Sequence, residues 1–155
     1  MNMLLKLLIS IIGCNAIGGI GALVTNPNTE WFRSLIKPSF QPPNWIFGPV
    51  WTMLYTLMGI AIYLIWKDGF VTSERRQARN IFIVQLLINS SWSFVYFGKQ
   101  NIEMAVVVIV VLLVAIIATI IALFKVDKTA AYLLIPYLLW VCFATFLNYS
   151  LWQLN

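Results

Sequence analysis

Charge is scarce in this sequence: only 10% of the 155 residues are charged, and 61% are apolar. A soluble domain carries about 25% charge, so an ordinary soluble enzyme and a disordered chain are both excluded. The net charge of +5 does not point to nucleic acid, because the basic residues form no stripe. Histidine is absent, which removes the commonest metal ligand and the commonest general base. Cysteine is rare. Cys14 and Cys142 both fall inside apolar runs and are expected to be buried free thiols. No carboxylate, lysine or arginine lies near the middle of an apolar run, and proton- or ion-coupled transporters usually need one there. There is no Gly-rich phosphate loop, no serine–base pair and no metal-ligating constellation. No cofactor or metal is implied.

What is present is a set of long apolar runs. A membrane-spanning helix needs about 20 apolar residues, and five such runs fill the chain: residues 4–24, 45–66, 80–97, 105–124 and 130–151. Backbone groups in lipid must bond within their own segment, so each run is expected to be a helix. The first run is too long for the apolar core of a signal peptide and lacks a clear cleavage site. The fold class is therefore an all-α integral membrane protein, a single domain of five transmembrane helices. If the connections alternate sides, Lys6, Lys67, Arg75, Arg76, Arg79, Lys125 and Lys128 share one side. Arg33, Lys37 and Lys99 share the other. The excess of basic residues on the first side places the N-terminus inside and the C-terminus outside.

The first connection, residues 25–44, is long for such a protein. Loops of this length tend to be functional or disordered. Trp31, Phe32, Leu35, Ile36 and Phe40 make it apolar, and Pro38, Pro42 and Pro43 stiffen it. A stiff apolar loop needs a surface to pack on: either the headgroup region, or an opening between helices over which it lies as a lid.

Helical spacing sorts the special residues onto faces. In the third span Gln85, Asn89, Trp92 and Tyr96 share one face. Polar residues there serve either as interhelical hydrogen-bond partners or as a pocket wall. The second span presents Trp51, Tyr55, Met58 and Ile62 together. In the fifth, Leu133, Trp140, Ala144, Leu147 and Leu151 share a face, and Pro136 should kink the helix a turn before Trp140. At 1.5 Å per residue, Trp51 lies about 9 Å and Trp140 about 16 Å below the outer ends of their helices. Three tryptophans from three helices (Trp51, Trp92 and Trp140) can thus line one cavity beneath the long loop. The fourth span has no polar face, which suits lipid exposure. The first carries Ser10, Cys14, Gly18 and Ala22 at steps of four, a small-residue stripe that fits either internal packing or a dimer face. A neutral aromatic cavity suits a large, flat, apolar ligand.

Two stretches carry a family resemblance. Residues 31–55 read WFRSLIKPSFQPPNWIFGPVWTMLY, and residues 133–155 read LLIPYLLWVCFATFLNYSLWQLN. Together with Asn89 and Trp92, these resemble the translocator protein family, also called tryptophan-rich sensory proteins or peripheral benzodiazepine receptors. The short termini resemble those of bacterial members, so the bacterial cell membrane is the expected location. The resemblance implies a five-helix bundle, often a homodimer, that binds porphyrins such as protoporphyrin IX and benzodiazepine-site ligands. It implies a ligand-binding set of Trp31, Pro42, Trp51, Asn89, Trp92, Trp140 and Ala144. Trp51 and Trp140 match the family's candidate reactive tryptophans for light-dependent porphyrin breakdown. Eukaryotic members also bind cholesterol through a motif in the last helix. Here Leu147 and Tyr149 are followed by Ser150, Leu151, Trp152 and Gln153, without the basic residue, so sterol binding is not expected. Without histidine the usual axial haem ligand is missing, and a metal-free porphyrin fits better. Three roles compete: a tetrapyrrole receptor with photo-oxidative activity, a carrier of apolar molecules, and a ligand-sensing scaffold.

Overall fold

Each of the five apolar runs forms a helix in the computed structural model, which describes residues 2–155. The spans are α1 (Met3–Val24), α3 (Asn44–Trp66), α4 (Ser73–Ser93), α5 (Ile102–Phe124) and the pair α6 (Lys128–Leu133) and α7 (Ile135–Leu154). A short helix, α2 (Glu30–Ser34), sits in the first connection. Side-chain caps mark the starts. Asn2, Thr29, Thr72, Asn101 and Asp127 each accept a hydrogen bond from a backbone N–H in the first turn of the helix that follows.

The third span starts earlier than its apolar run. Thr72 caps α4 eight residues before Asn80, and Glu74 in the first turn suits the positive end of the helix dipole. Hydropathy sees only the part within lipid and misses this polar turn. At its other end α4 widens into a π-turn, Phe94–Gly98, where the Lys99 N–H bonds the Phe94 carbonyl at 2.9 Å. The fifth span breaks at Leu134. Pro136 has no N–H to give the Tyr132 carbonyl, so the ladder is interrupted one turn before the proline.

Helix α1 runs antiparallel to α3 and touches it closely. Trp66 Nε1 donates to Ser10 Oγ at 2.8 Å, and Asn15 Nδ2 donates to Thr56 Oγ1 at 3.2 Å. Gly59 permits the approach: a Cβ there would meet Ser10 O at 2.9 Å and the Ile11 backbone. Ser10 and Cys14 are buried in this contact and Gly18 abuts Tyr55, so this part of the small-residue stripe is an internal packing face, while Ala22 is exposed.

Two expectations change. Helix α5 is not simply a lipid-facing strut. Ala105, Ile109, Leu112, Ile116, Thr119 and Leu123 form a buried stripe at helical spacing, while Val107, Val110, Val114, Ile117 and Ile121 lie exposed opposite. Both faces are apolar because one meets the core and the other lipid, so composition does not distinguish them. Cys142 is exposed rather than buried; only Cys14 is inside, and both thiols are free. Cys142 follows Val141, which takes the inward position on α7.

The first connection packs firmly on the bundle. Phe32 is buried with Tyr96, Ala105, Leu147 and Leu151. Asn155 Nδ2 donates to the Ile36 carbonyl at 2.9 Å, and its Oδ1 accepts from the Ile36 N–H at 2.8 Å. Phe40 stacks on Phe146 with ring centroids 5.1 Å apart.

Candidate functional site

Beneath this loop lies a cavity of about 360 Å³, within the range of small-molecule pockets. Its walls come from α1, α3, the α4 end, α5 and α7. Trp51 and Phe47 stand on α3, Trp92 and Tyr96 on the α4 side, and Trp140, Ala144 and Leu147 on α7. Among the described residues no charged side chain lines it. Between α1 and α3 the wall is thin: the lining residues Gly19, Ala22, Gly48 and Thr52 are small and exposed.

The aromatic walls are fixed by one another. Trp92 stacks on Tyr96 at 4.9 Å and 19°. Trp140 meets Phe47 edge-on at 5.8 Å and lies 5.5 Å from Phe143. Trp51 lies 5.7 Å from Tyr55 and 6.3 Å from Tyr137. Such pairs hold ring orientation and contribute about 1 kcal/mol each beyond burial.

A polar network anchors the floor. The Tyr55 hydroxyl donates to Asn89 Oδ1 at 2.8 Å, and Asn89 Nδ2 donates to the Tyr137 hydroxyl. The Tyr137 hydroxyl in turn donates to Gln85 Oε1 at 3.0 Å. Helices α3, α4 and α7 are thereby tied through one chain of buried groups. A second tie joins Trp92 Nε1 to Asn148 Oδ1 at 2.9 Å. Gly18 belongs to the same construction, because any Cβ at that position would overlap the Tyr55 ring. The flat face of α1 lets Tyr55 reach Asn89. Three cavity-wall residues also carry buried polar atoms that have no partner among the described residues: Gln41 Oε1, the Tyr96 hydroxyl and Trp140 Nε1. Buried polar groups are normally paired.

The structure brings together Trp51, Asn89, Trp92, Trp140 and Ala144 around one space. Trp31 and Pro42 stand apart from it. Helix α2 turns Phe32 to the cavity, and Trp31 packs behind, edge-on to Tyr96 at 5.6 Å. Pro42 does not line the cavity, whereas the preceding Gln41 does. Gln85 acts as an interhelical hydrogen-bond partner below the cavity rather than as part of its lining. Sequence reasoning missed Tyr137 and Asn148. Both fall on the Trp140–Ala144 face at helical spacing, so extending that face by one position at each end finds them.

The TspO/MBR family model matches residues 10–153. The chain belongs to the TspO/MBR family. It is 42% identical to a tryptophan-rich protein TspO of Archaeoglobus fulgidus over 98% of both chains. It is 40% identical to the human translocator protein over 81% of this chain and 75% of that one. A tryptophan-rich sensory protein of Cereibacter sphaeroides is 35% identical, covering all of this chain and 95% of its own. With five helices long and apolar enough to cross a bilayer, this TspO/MBR chain is an integral membrane protein. Of its seven tryptophans, Trp51, Trp92 and Trp140 line the cavity.

Proposed function

We propose that the protein is a membrane receptor that takes flat, apolar ligands into the aromatic cavity, with tetrapyrroles such as protoporphyrin IX and benzodiazepine-site compounds as the ligand class. The observation that carries this reading is a neutral cavity walled by Trp51, Trp92, Trp140 and Phe47, with unpaired polar atoms on Gln41, Tyr96 and Trp140 at its margin. Stacking surfaces hold a conjugated ring, and a few hydrogen-bonding groups set its orientation. The names of the relatives, translocator protein and tryptophan-rich sensory protein, agree with a receptor or sensor. The basic end of the bundle faces the inner side of a bacterial cell membrane, with the N-terminus inside and the C-terminus outside.

We further propose light-dependent oxidative breakdown of the bound porphyrin. Light supplies the energy and dioxygen the oxidant. Trp51 and Trp140 are oxidisable rings at the ligand, and Trp51 adjoins Tyr55 and Tyr137, a short chain of further donors. The second reading, a carrier, is favoured by the thin wall of Gly19, Ala22, Gly48 and Thr52, through which an apolar ligand would exchange with the bilayer.

The test is a titration of purified protein with protoporphyrin IX in the dark and under light, followed by absorbance and tryptophan fluorescence. Saturable quenching of tryptophan emission is expected, and its absence refutes the receptor reading. Trp51→Phe and Trp140→Phe are then compared at saturating porphyrin. A slower photochemical rate supports redox roles, and a wild-type rate leaves these residues as walls only. Uptake of porphyrin into sealed vesicles identifies the carrier.

A further inference from the structure

A second concavity lies at the opposite end of the bundle from the loop, on the outside of the molecule. It is a groove of about 310 Å³ between α1 and α4, with α3 as its floor. Ile9, Gly13 and Ile17 form one side, and Arg79, Ile83 and Leu86 the other. The rise along α1 from Ile9 to Ile17 gives a length of about 12 Å, most of the roughly 15 Å hydrocarbon depth of one leaflet. At its membrane-surface end stand Trp66 and Phe70, stacked at 6.3 Å and 12°. A cation sits on each ring. Lys6 Nζ lies 5.4 Å from the Trp66 centroid, and the Arg79 guanidinium carbon lies 4.8 Å from that of Phe70.

These two charges are not neutralised. Among the described residues neither pairs with a carboxylate; the ion pair at this end joins Arg75 and Asp68 at 3.5 Å. Lys6 Nζ donates only to the Lys67 carbonyl. Arg79 spends Nε and Nη2 on Asn80 Oδ1, at 3.0 and 2.9 Å, which leaves Nη1 open. An apolar channel of acyl-chain length that ends at two unpaired cations has the complement of one kind of molecule. We propose that this groove is a binding site for an anionic phospholipid. One acyl chain lies between α1 and α4, the phosphate meets Arg79, and Lys6 supplies the second positive charge. Basic pockets between helices at a membrane surface recognise lipid headgroups in this way. The site is separate from the aromatic cavity and does not depend on what that cavity binds.

The experiment is native mass spectrometry of the detergent-purified protein titrated with phosphatidylglycerol or with phosphatidylcholine of the same chains. Wild type is expected to retain phosphatidylglycerol preferentially. Arg79→Gln is expected to reduce that preference about fivefold while retention of phosphatidylcholine stays unchanged. Gly13→Phe projects a ring into the groove, and since nothing lies within 4 Å of a Cβ at that position it leaves the internal packing alone. It is expected to abolish retention of both lipids; Ile83→Trp on the opposite wall provides a second block. Equal retention of the two lipids by wild type overturns the proposal, as does an Arg79→Gln variant with undiminished preference. If Gly13→Phe instead splits a dimer without changing lipid retention, the groove is an interface between two copies and the proposal fails.

Discussion

Replacing Tyr137 with phenylalanine tests whether the buried network holds the bundle together. Tyr137 is fully buried, and its hydroxyl both accepts from Asn89 and donates to Gln85 at 3.0 Å. The substitution keeps the ring and removes only the oxygen, so two buried groups lose a partner at once. Asn89 keeps its bond from Tyr55. Gln85 keeps only a 3.8 Å contact from its Nε2 to Met58 Sδ, and its Oε1 is left bare. In a soluble protein each bare group costs about 1–3 kcal/mol. Hydrogen bonds between membrane helices average nearer 0.6 kcal/mol and reach about 1.7, because the unfolded chain in lipid also finds partners. The near-complete loss at Gln85 argues for the upper part of that range, so about 1.5–3 kcal/mol in total is expected. The assay is equilibrium unfolding in mixed micelles. Adding Gln85→Leu to Tyr137→Phe removes the stranded amide, and part of the loss should return. Because the ring persists, the Trp51 side of the cavity keeps its backing, and ligand affinity should change less than about twofold. A Tyr137→Phe variant within about 0.3 kcal/mol of wild type would refute the network's role. So would a double variant whose cost equals the sum of the singles.

Other perturbations separate packing from ligand contact. Gly59→Ala should cost about 1–3 kcal/mol in the same unfolding assay, because the added Cβ meets the α1 backbone and cannot be relieved by a side-chain rotation. Ala144→Thr adds a branched group to the cavity wall one turn from Trp140 and should weaken porphyrin or drug binding several-fold, measured by fluorescence quenching, with helicity unchanged. Trp92→Phe forfeits the bond to Asn148 and should lower stability by about 1 kcal/mol while retaining most of the stacking with Tyr96. Trp31→Phe should leave affinity nearly unchanged, since Trp31 lies behind the cavity wall; a tenfold loss would place it at the ligand.

How much of this was legible in the sequence follows from the period of a helix. The i, i+4, i+7 arithmetic grouped Asn89, Trp92 and Tyr96, and separately Trp51 and Tyr55, because a helix fixes which side chains share a side whatever packs against it. Placing Trp51, Trp92 and Trp140 in one space needed only depth along each span. What the spacing left open has a different origin. Trp31 and Pro42 lie in a connection, where no period says which side chain turns inward. The burial of α5 was unreadable because Val, Ile and Leu serve equally against protein and against lipid. Cys142 was misplaced for the same reason. The early start of α4 at Thr72 was hidden because its first turns are charged and stand outside the apolar run. The network itself was half visible: Gln85 and Asn89 announced a need for partners and Tyr137 lay on the Trp140–Ala144 face, but spacing alone did not say that its hydroxyl would meet them.

The two ends of the bundle are built for different tasks, and glycine placement shows why. Toward the basic end Gly59 brings α1 against α3 until backbone meets backbone, and Ser10 bonds Trp66 across the contact. Helices in such register have little freedom to separate, since interfaces made of backbone offer no side chain to repack. Toward the loop the lining residues that the same helices supply, Gly19, Ala22, Gly48 and Thr52, are small and exposed. Gly48 and Gly19 have nothing within 4 Å of a Cβ. Under the carrier reading, these small residues are where an apolar molecule would pass between the bilayer and the cavity. A bulky substitution there tests the idea directly. Gly48→Leu adds a side chain to open space, so stability should hold, while the rate of ligand association from lipid vesicles should fall several-fold with little change in affinity at equilibrium. If association is unaffected, the ligand enters past the loop at Phe32 and Gln41, and the flank between α1 and α3 is only surface.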